Sequence, residues 1–97
     1  MDYPNLTFEQ ADRNVFKNLD LAYRVMEMKG TAACALNAAN EVAVAAFLEN
    51  KISFLAISEL NEHVVEEMTN ILSPKYDDFV RVDLSAREIT HQKIERL

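Results

Sequence analysis

Glycine occurs once in this sequence, at Gly30. Dinucleotide-binding turns and phosphate-cradling loops need several glycines, because their backbone amides must approach the phosphates closely. Neither device can be built from this chain, so a nucleotide would have to sit on residues outside it. Proline is nearly as scarce, at Pro4 and Pro74 only. So few breakers beside abundant Ala, Leu, Glu and Met point to an all-helical fold. The one cysteine, Cys34, has no partner for an internal disulfide, which fits a reducing, cytoplasmic setting. Clustered cations are missing as well: 10 basic against 16 acidic residues leave a net charge of −6. Phosphate neutralisation needs grouped Lys and Arg, so nucleic acid and anionic membrane surfaces are set aside as partners. The longest unbroken apolar run, residues 42–48, is far too short to span a membrane. The acidic, polar opening "MDYPNLTFEQAD" is not a signal peptide.

What remains is a chain of 97 residues, the length of one domain. Folding at this size buries roughly 65% of the unfolded chain's surface, enough for one modest core and no roomy enclosed cofactor site. With 49% hydrophobic and 27% charged residues, the composition is that of a packed globule rather than a disordered chain.

The pattern along the chain predicts a small four-helix bundle. Residues 1–16 read as an extended N-terminal arm with at most one short turn. A first helix covers about residues 18–29, with Leu21, Ala22, Val25 and Met28 on one face and Leu19, Tyr23 and Met26 on another. Gly30 suits the left-handed position that ends a helix, and Thr31 then caps a second helix over about residues 32–49. The stretch "NKISFLAI", residues 50–57, reads as an irregular connector burying Ile52, Phe54 and Ile57. Ser58 is the expected cap of a third helix, with Leu60, Val64, Met68, Ile71 and Leu72 facing inward until Ser73-Pro74 stops it. Asp77 starts the closing segment, anchored by Phe79, Val80 and Val82, with a break expected near residues 83–85 before a final helix at 86–96. Short connections between four helices favour a bundle.

One stretch stands apart. "LNAANEVAVAAFL", residues 36–48, sets two asparagines and a glutamate in an otherwise apolar run. At about 100° per residue, with Leu36 at zero, Phe47 falls near 20°, Val44 near 80° and Leu48 near 120°. Asn40 near 40° and Asn37 near 100° lie inside that arc, and Glu41 near 140° lies on its edge. The helix is apolar nearly all round, which predicts a central position with Asn37, Asn40 and Glu41 buried. An unpartnered buried amide costs about 1–3 kcal/mol, so these groups should be hydrogen-bonded. Two readings follow: they bond to backbone in neighbouring turns, such as the connector or the N-terminal arm, or they meet a ligand or a second domain.

Other candidates are weaker. Cys34 lies near a helix N-terminus, where a thiol pKa can fall, but no base is placed beside it, and a buried structural thiol is expected. Glu88 and His91 form a single Glu-x-x-His, whereas a di-metal carboxylate bundle needs two such motifs and two further glutamates. His63 has Leu60 where the second motif would need a glutamate, so both histidines read as surface residues. Glu59, Glu62, Glu66 and Glu67 read as the wet face of the third helix. Met26, Met28 and Met68 fit core faces better than an adaptable Met-lined groove.

The stretch "GTAACALNAANEVAVAAFLENKISFLAI", residues 30–57, resembles the C-terminal helical domain of 1-deoxy-D-xylulose 5-phosphate reductoisomerase. The similarity extends upstream through "LTFEQAD" and "LDLAYRVMEMKG" and downstream into "DDFVRVDLSAREI". Helix 3 and the tail after Ile89 add little. The resemblance implies a parent enzyme of the non-mevalonate isoprenoid pathway, a homodimer that uses NADPH and a divalent metal, Mg or Mn. That enzyme converts 1-deoxy-D-xylulose 5-phosphate to 2-C-methyl-D-erythritol 4-phosphate. It also implies an N-terminal NADPH-binding domain and a central catalytic domain, both absent here. No residue of this chain matches the family's cofactor, metal or phosphate motifs, so no catalytic, cofactor-binding or metal residue is assigned. Met1 falls where the family's chain is already far advanced, so the sequence reads as part of a longer protein. The expectation is a single support domain, inactive and cofactor-free alone, whose partners are the remaining domains of the parent. The alternative is a free-standing helical interaction module.

Overall fold

A computed structural model describes residues 8–97, with side chains from residue 12 onward. Four helices follow in order: α1 (Phe8–Met28), α2 (Ala32–Leu48), α3 (Phe54–Glu67) and α4 (Tyr76–Glu95), with no strand among the described residues. The all-helical bundle expected from the scarcity of breakers is the observed fold. Within it, α2 and α3 form the central pair, and α1 and α4 each pack against both. Among the described residues α1 and α4 do not meet, and the molecule is only 18 Å across its thinnest dimension.

The first helix begins ten residues earlier than the apolar spacing predicted, and residues 8–16 belong to it rather than to an extended arm. Nothing between Phe8 and Met28 breaks a helix, and buried Asn14, Leu21 and Val25 share one face. Residues 1–7 of the expected arm lie outside the described residues. Lys29 (φ 59°) and Gly30 (φ 66°) both adopt left-handed backbone, which turns the chain into α2. Thr31 stands at the N-cap, but its hydroxyl makes no cap hydrogen bond. It accepts from the Ile71 amide at 3.1 Å instead.

The connector between α2 and α3 is shorter than expected. Ser53, not Ser58, caps α3: its hydroxyl accepts from the Ala56 amide at 3.3 Å. Ser58 lies inside the helix, buried, and donates to the Leu55 carbonyl at 3.2 Å. Ile52 and Ile57 are buried as predicted, and Phe54 packs edge-on to Phe47 with ring centroids 5.4 Å apart.

At its far end α3 stops at Glu67, so Leu72 is exposed on the loop rather than facing the core. The chain re-enters helix at Tyr76. Asp78 closes the N-terminus of α4 by accepting from the Lys75 amide at 2.9 Å. No break occurs at residues 83–85. Asp83 and Arg87 pair one turn apart at 2.9 Å, and the buried Thr90 hydroxyl donates back to the Ala86 carbonyl at 2.7 Å. Of the expected anchors, Val82 is buried, whereas Phe79 and Val80 are exposed.

The core is built largely from alanine. Ala35, Ala38, Ala39 and Ala86 meet Val64 and Val82 where α2, α3 and α4 converge. Ala43, Ala46, Ile52, Ile57 and Leu60 form the second cluster, while Leu21 and Val25 attach α1 to Ala32 and Val65.

Candidate functional site

The position of α2 inverts the expected wheel. Its buried residues are Ala32, Ala35, Ala38, Ala39, Val42, Ala43 and Ala46. The bulky arc faces outward: Leu36, Val44 and Phe47 are half-buried, and Leu48 is exposed. The reason is packing. A helix with two neighbours on one side gains most by setting its smallest side chains there, because the backbones then approach closely and dispersion contacts multiply. The larger side chains take the flanks, Leu36 against the cluster of α1 and Val44 and Phe47 against the cluster around Ile52, Ile57 and Leu60.

This inversion corrects the expected burial of the three polar residues. Asn37 and Glu41 are exposed and Asn40 is half-buried. Their partners are also not the predicted ones. Asn40 Oδ1 accepts from Asn61 Nδ2 at 3.0 Å, and the same nitrogen donates to Asn18 Oδ1 at 3.2 Å. Asn61 is 1% exposed, so one buried amide ties α3 to both α1 and α2. Among the described residues, no backbone of the connector or of the N-terminal arm enters this bond set. Asn61 Oδ1 and Asn14 Oδ1 are buried without a hydrogen-bond partner among the described residues.

Asn18 and Asn61 are the residues that sequence reasoning missed. Asn61 lies one turn after Ile57 and one turn before Val64, both on the inner face of α3. That spacing was a readable signal of a buried amide. Asn18 shares a face with Leu21 and Val25 in the same manner. With Asn37, Asn40, Ala22 and Met26, these residues line a groove of about 470 Å³ between α1 and α2.

Glu41 pairs with Arg87 across to α4 at 2.5 Å, and Arg87 also holds Asp83. Its hydrogen bonds to the Asp83 carboxylate first and the Glu41 carboxylate second raise the guanidinium's pKa further above its already high range, so the charge is permanent. A second surface network joins Arg24 of α1 to Glu62 of α3 at 3.2 Å. Glu59, Glu66 and Glu67 lie on the wet face of α3 as expected.

Cys34 is half-buried rather than fully buried, and its Sγ lies 3.6 Å from the Phe79 carbonyl. Burial raises its pKa, the Asp83 charge adds to the rise and Arg87 opposes it. That is the reverse of nucleophile activation. Met26 and Met28 are exposed and not on core faces, whereas Met68 packs against the alanine cluster. Glu88, His91 and His63 are all exposed.

A metal needs converging donors, and among the described residues no three His, Cys, Asp or Glu side chains are placed to hold one. A dinucleotide needs a glycine-lined turn, and the single glycine sits against Ile71. The described residues thus offer neither converging metal donors nor a glycine-lined turn. No helix among the described residues is long and apolar enough to cross a membrane.

Helices joined by a buried amide, with a half-open apolar groove beside it, define a small all-α domain of the bundle class. The chain belongs to the DXP reductoisomerase C-terminal domain family, whose model matches residues 1–89. It is 49% identical over 90 residues to 1-deoxy-D-xylulose 5-phosphate reductoisomerase of Bacteroides fragilis, covering 93% of this chain and 23% of that protein. The enzyme of the same name from Caldanaerobacter subterraneus subsp. tengcongensis is 50% identical over 91 residues, covering 94% and 24%. That from Bacteroides thetaiotaomicron is 49% identical over 90 residues. The chain thus spans about a quarter of the length of these relatives.

Proposed function

We propose that this chain is the support domain of an enzyme of the DXP reductoisomerase type, without chemistry of its own. The observation that carries the reading is the family match over residues 1–89 set beside the fourfold greater length of the relatives. The reaction implied is the NADPH-dependent isomerisation and reduction of 1-deoxy-D-xylulose 5-phosphate, carried out in the cytoplasm by a homodimer. NADPH and the divalent metal would be held by residues upstream of this domain, a reading supported by the lack of converging metal donors among the described residues. The domain's task is mechanical: it braces the catalytic domains and completes the walls around their site.

The reading is tested by titrating the 97-residue chain calorimetrically with NADPH and with Mn, and by assaying it with the sugar phosphate and NADPH together. The expected outcome is no saturable binding and no oxidation of the cofactor. Micromolar binding of either, or turnover by this chain alone, overturns it.

A further inference from the structure

Among the described residues, an exposed apolar surface runs along α1 and continues across the groove onto α2. Phe16 (72% exposed), Leu19 (50%), Tyr23 (61%) and Met26 (69%) follow one another at spacings of three, four and three residues. That is the seam spacing by which one helix packs against another surface. With Asn18 at zero, Ala22, Met26, Leu19, Tyr23 and Phe16 fall at about 40°, 80°, 100°, 140° and 160°, a single band. Ala22 and Met26 line the groove, so the band is continuous with the outward arc of α2 at Leu36, Asn37 and Asn40. Asp12 falls within the band near 120°, at its first turn, but from Arg13 onward the charged residues of α1 keep outside it, where Arg24 reaches Glu62 and Glu66 on α3.

We infer that this α1–α2 face is the surface that docks the upstream part of the full-length polypeptide. The inference rests on the support-domain reading and says which side of the domain does the bracing. Three observations favour the upstream chain as occupant. Full-length relatives carry about three-quarters of their length outside the matched region, and the matched region is their C-terminal domain. The band lies on α1, the first helix, which upstream chain in such a protein reaches before any other. A contiguous apolar band of this extent is a contact surface, and the amides of Asn37 and Asn40 at its centre suit hydrogen bonding to a partner's backbone. The exposed apolar patch at Tyr76, Phe79, Val80 and Leu84 lies on the last helix, with no asparagine lining its groove, and serves as the control.

The test is a chimera in which this chain replaces the C-terminal domain of the Bacteroides fragilis relative. Cys34→Ala is made in this chain, and the relative's own reactive cysteines are removed. Tyr23→Cys, Met26→Cys and Leu84→Cys are then made singly. Maleimide labelling rates are compared between the chimera and the isolated chain. Labelling at positions 23 and 26 should slow at least tenfold in the chimera, and position 84 should label at the same rate in both. Equal rates at 23 and 26, or protection at 84 alone, overturn the assignment of the face. Protection of 23 and 26 already in the isolated chain, with a doubled mass in sedimentation, overturns it in favour of a second copy as occupant. Turnover by the chimera is the separate readout of the support reading. An active chimera with position 26 still open sinks the docking face alone, whereas turnover by the isolated chain sinks the reading beneath it.

Discussion

Thr31 and Ile71 hold each other in both directions. The Thr31 amide donates to the Ile71 carbonyl at 3.1 Å, and the Thr31 hydroxyl accepts from the Ile71 amide at 3.1 Å. Asn70 adds a bond from its side-chain amide to the Met28 carbonyl at 3.2 Å. The turn between α1 and α2 is thereby fastened to the loop that follows α3, forty residues further along the chain.

Gly30 sits inside that fastening, and Gly30→Ala should be among the most destabilising single changes. A Cβ there would lie 2.2 Å from the Ile71 carbonyl oxygen, a backbone atom that cannot swing away, and φ is +66°. Strain and crowding together should cost about 2–4 kcal/mol. Urea denaturation followed by circular dichroism checks this. A loss below about 1 kcal/mol means that the turn relaxes freely.

Removing the central amide by Asn61→Ala leaves Asn18 and Asn40 without their shared donor and opens a small void. The cost should be about 2–3 kcal/mol. A double-mutant cycle with Asn40→Ala should show coupling, since the two side chains share one bond. Simple additivity would mean that the bond contributes nothing.

The N-terminus of α4 should respond to acid through Asp78. Its carboxylate accepts from the Lys75 amide and pairs with Arg81, and these contacts, the amide first, lower its pKa from the ordinary 3.8. A depressed carboxylate contributes stability that is fully present above its unfolded value and disappears as pH falls through the folded one. Asp78→Asn should therefore flatten the stability profile below about pH 4 and leave its shape near neutrality unchanged. Thermal melts across pH 2 to 7, a range set by the carboxylate pKa values, provide the measurement.

Cys34 should be a sluggish thiol. Its pKa is raised by burial and by Asp83, so at neutral pH it stays protonated and bonded toward the Phe79 carbonyl. Alkylation by iodoacetamide at pH 8 should run several-fold slower than for the unfolded chain, because thiolate is the reacting species. Asp83→Asn should speed it, and an unchanged rate would remove Asp83 from the account.

Much of this architecture was readable in advance. Gly30 as a left-handed stop, Leu21 and Val25 on one shared face of α1, and buried Ile52 and Ile57 all follow from local chemistry and spacing, whereas spacing did not say which of two apolar faces of α1 turns inward. The misreadings share a cause: a wheel shows which residues cluster, not which cluster wins the interior. On α2 the bulky arc of Leu36, Val44 and Phe47 looked like the core face, yet two neighbouring helices pack against the alanines. The same blindness to partners hid Asn61, whose amide makes sense only once Asn18 and Asn40 are brought beside it. Boundaries failed for a more local reason. Ser53 and Ser58 are equally plausible caps, and residues 8–16 contain no breaker, so nothing in the string marked where α1 begins.

The alanine seam through α2 also bears on how the domain moves. Ala35, Ala38, Ala39 and Ala43 have no side-chain torsions with which to absorb a displacement. A push on the outward side of α2 therefore passes almost undiminished to α3 and α4, as through a solid plate. Whatever leans on this module feels a stiff abutment rather than a cushion.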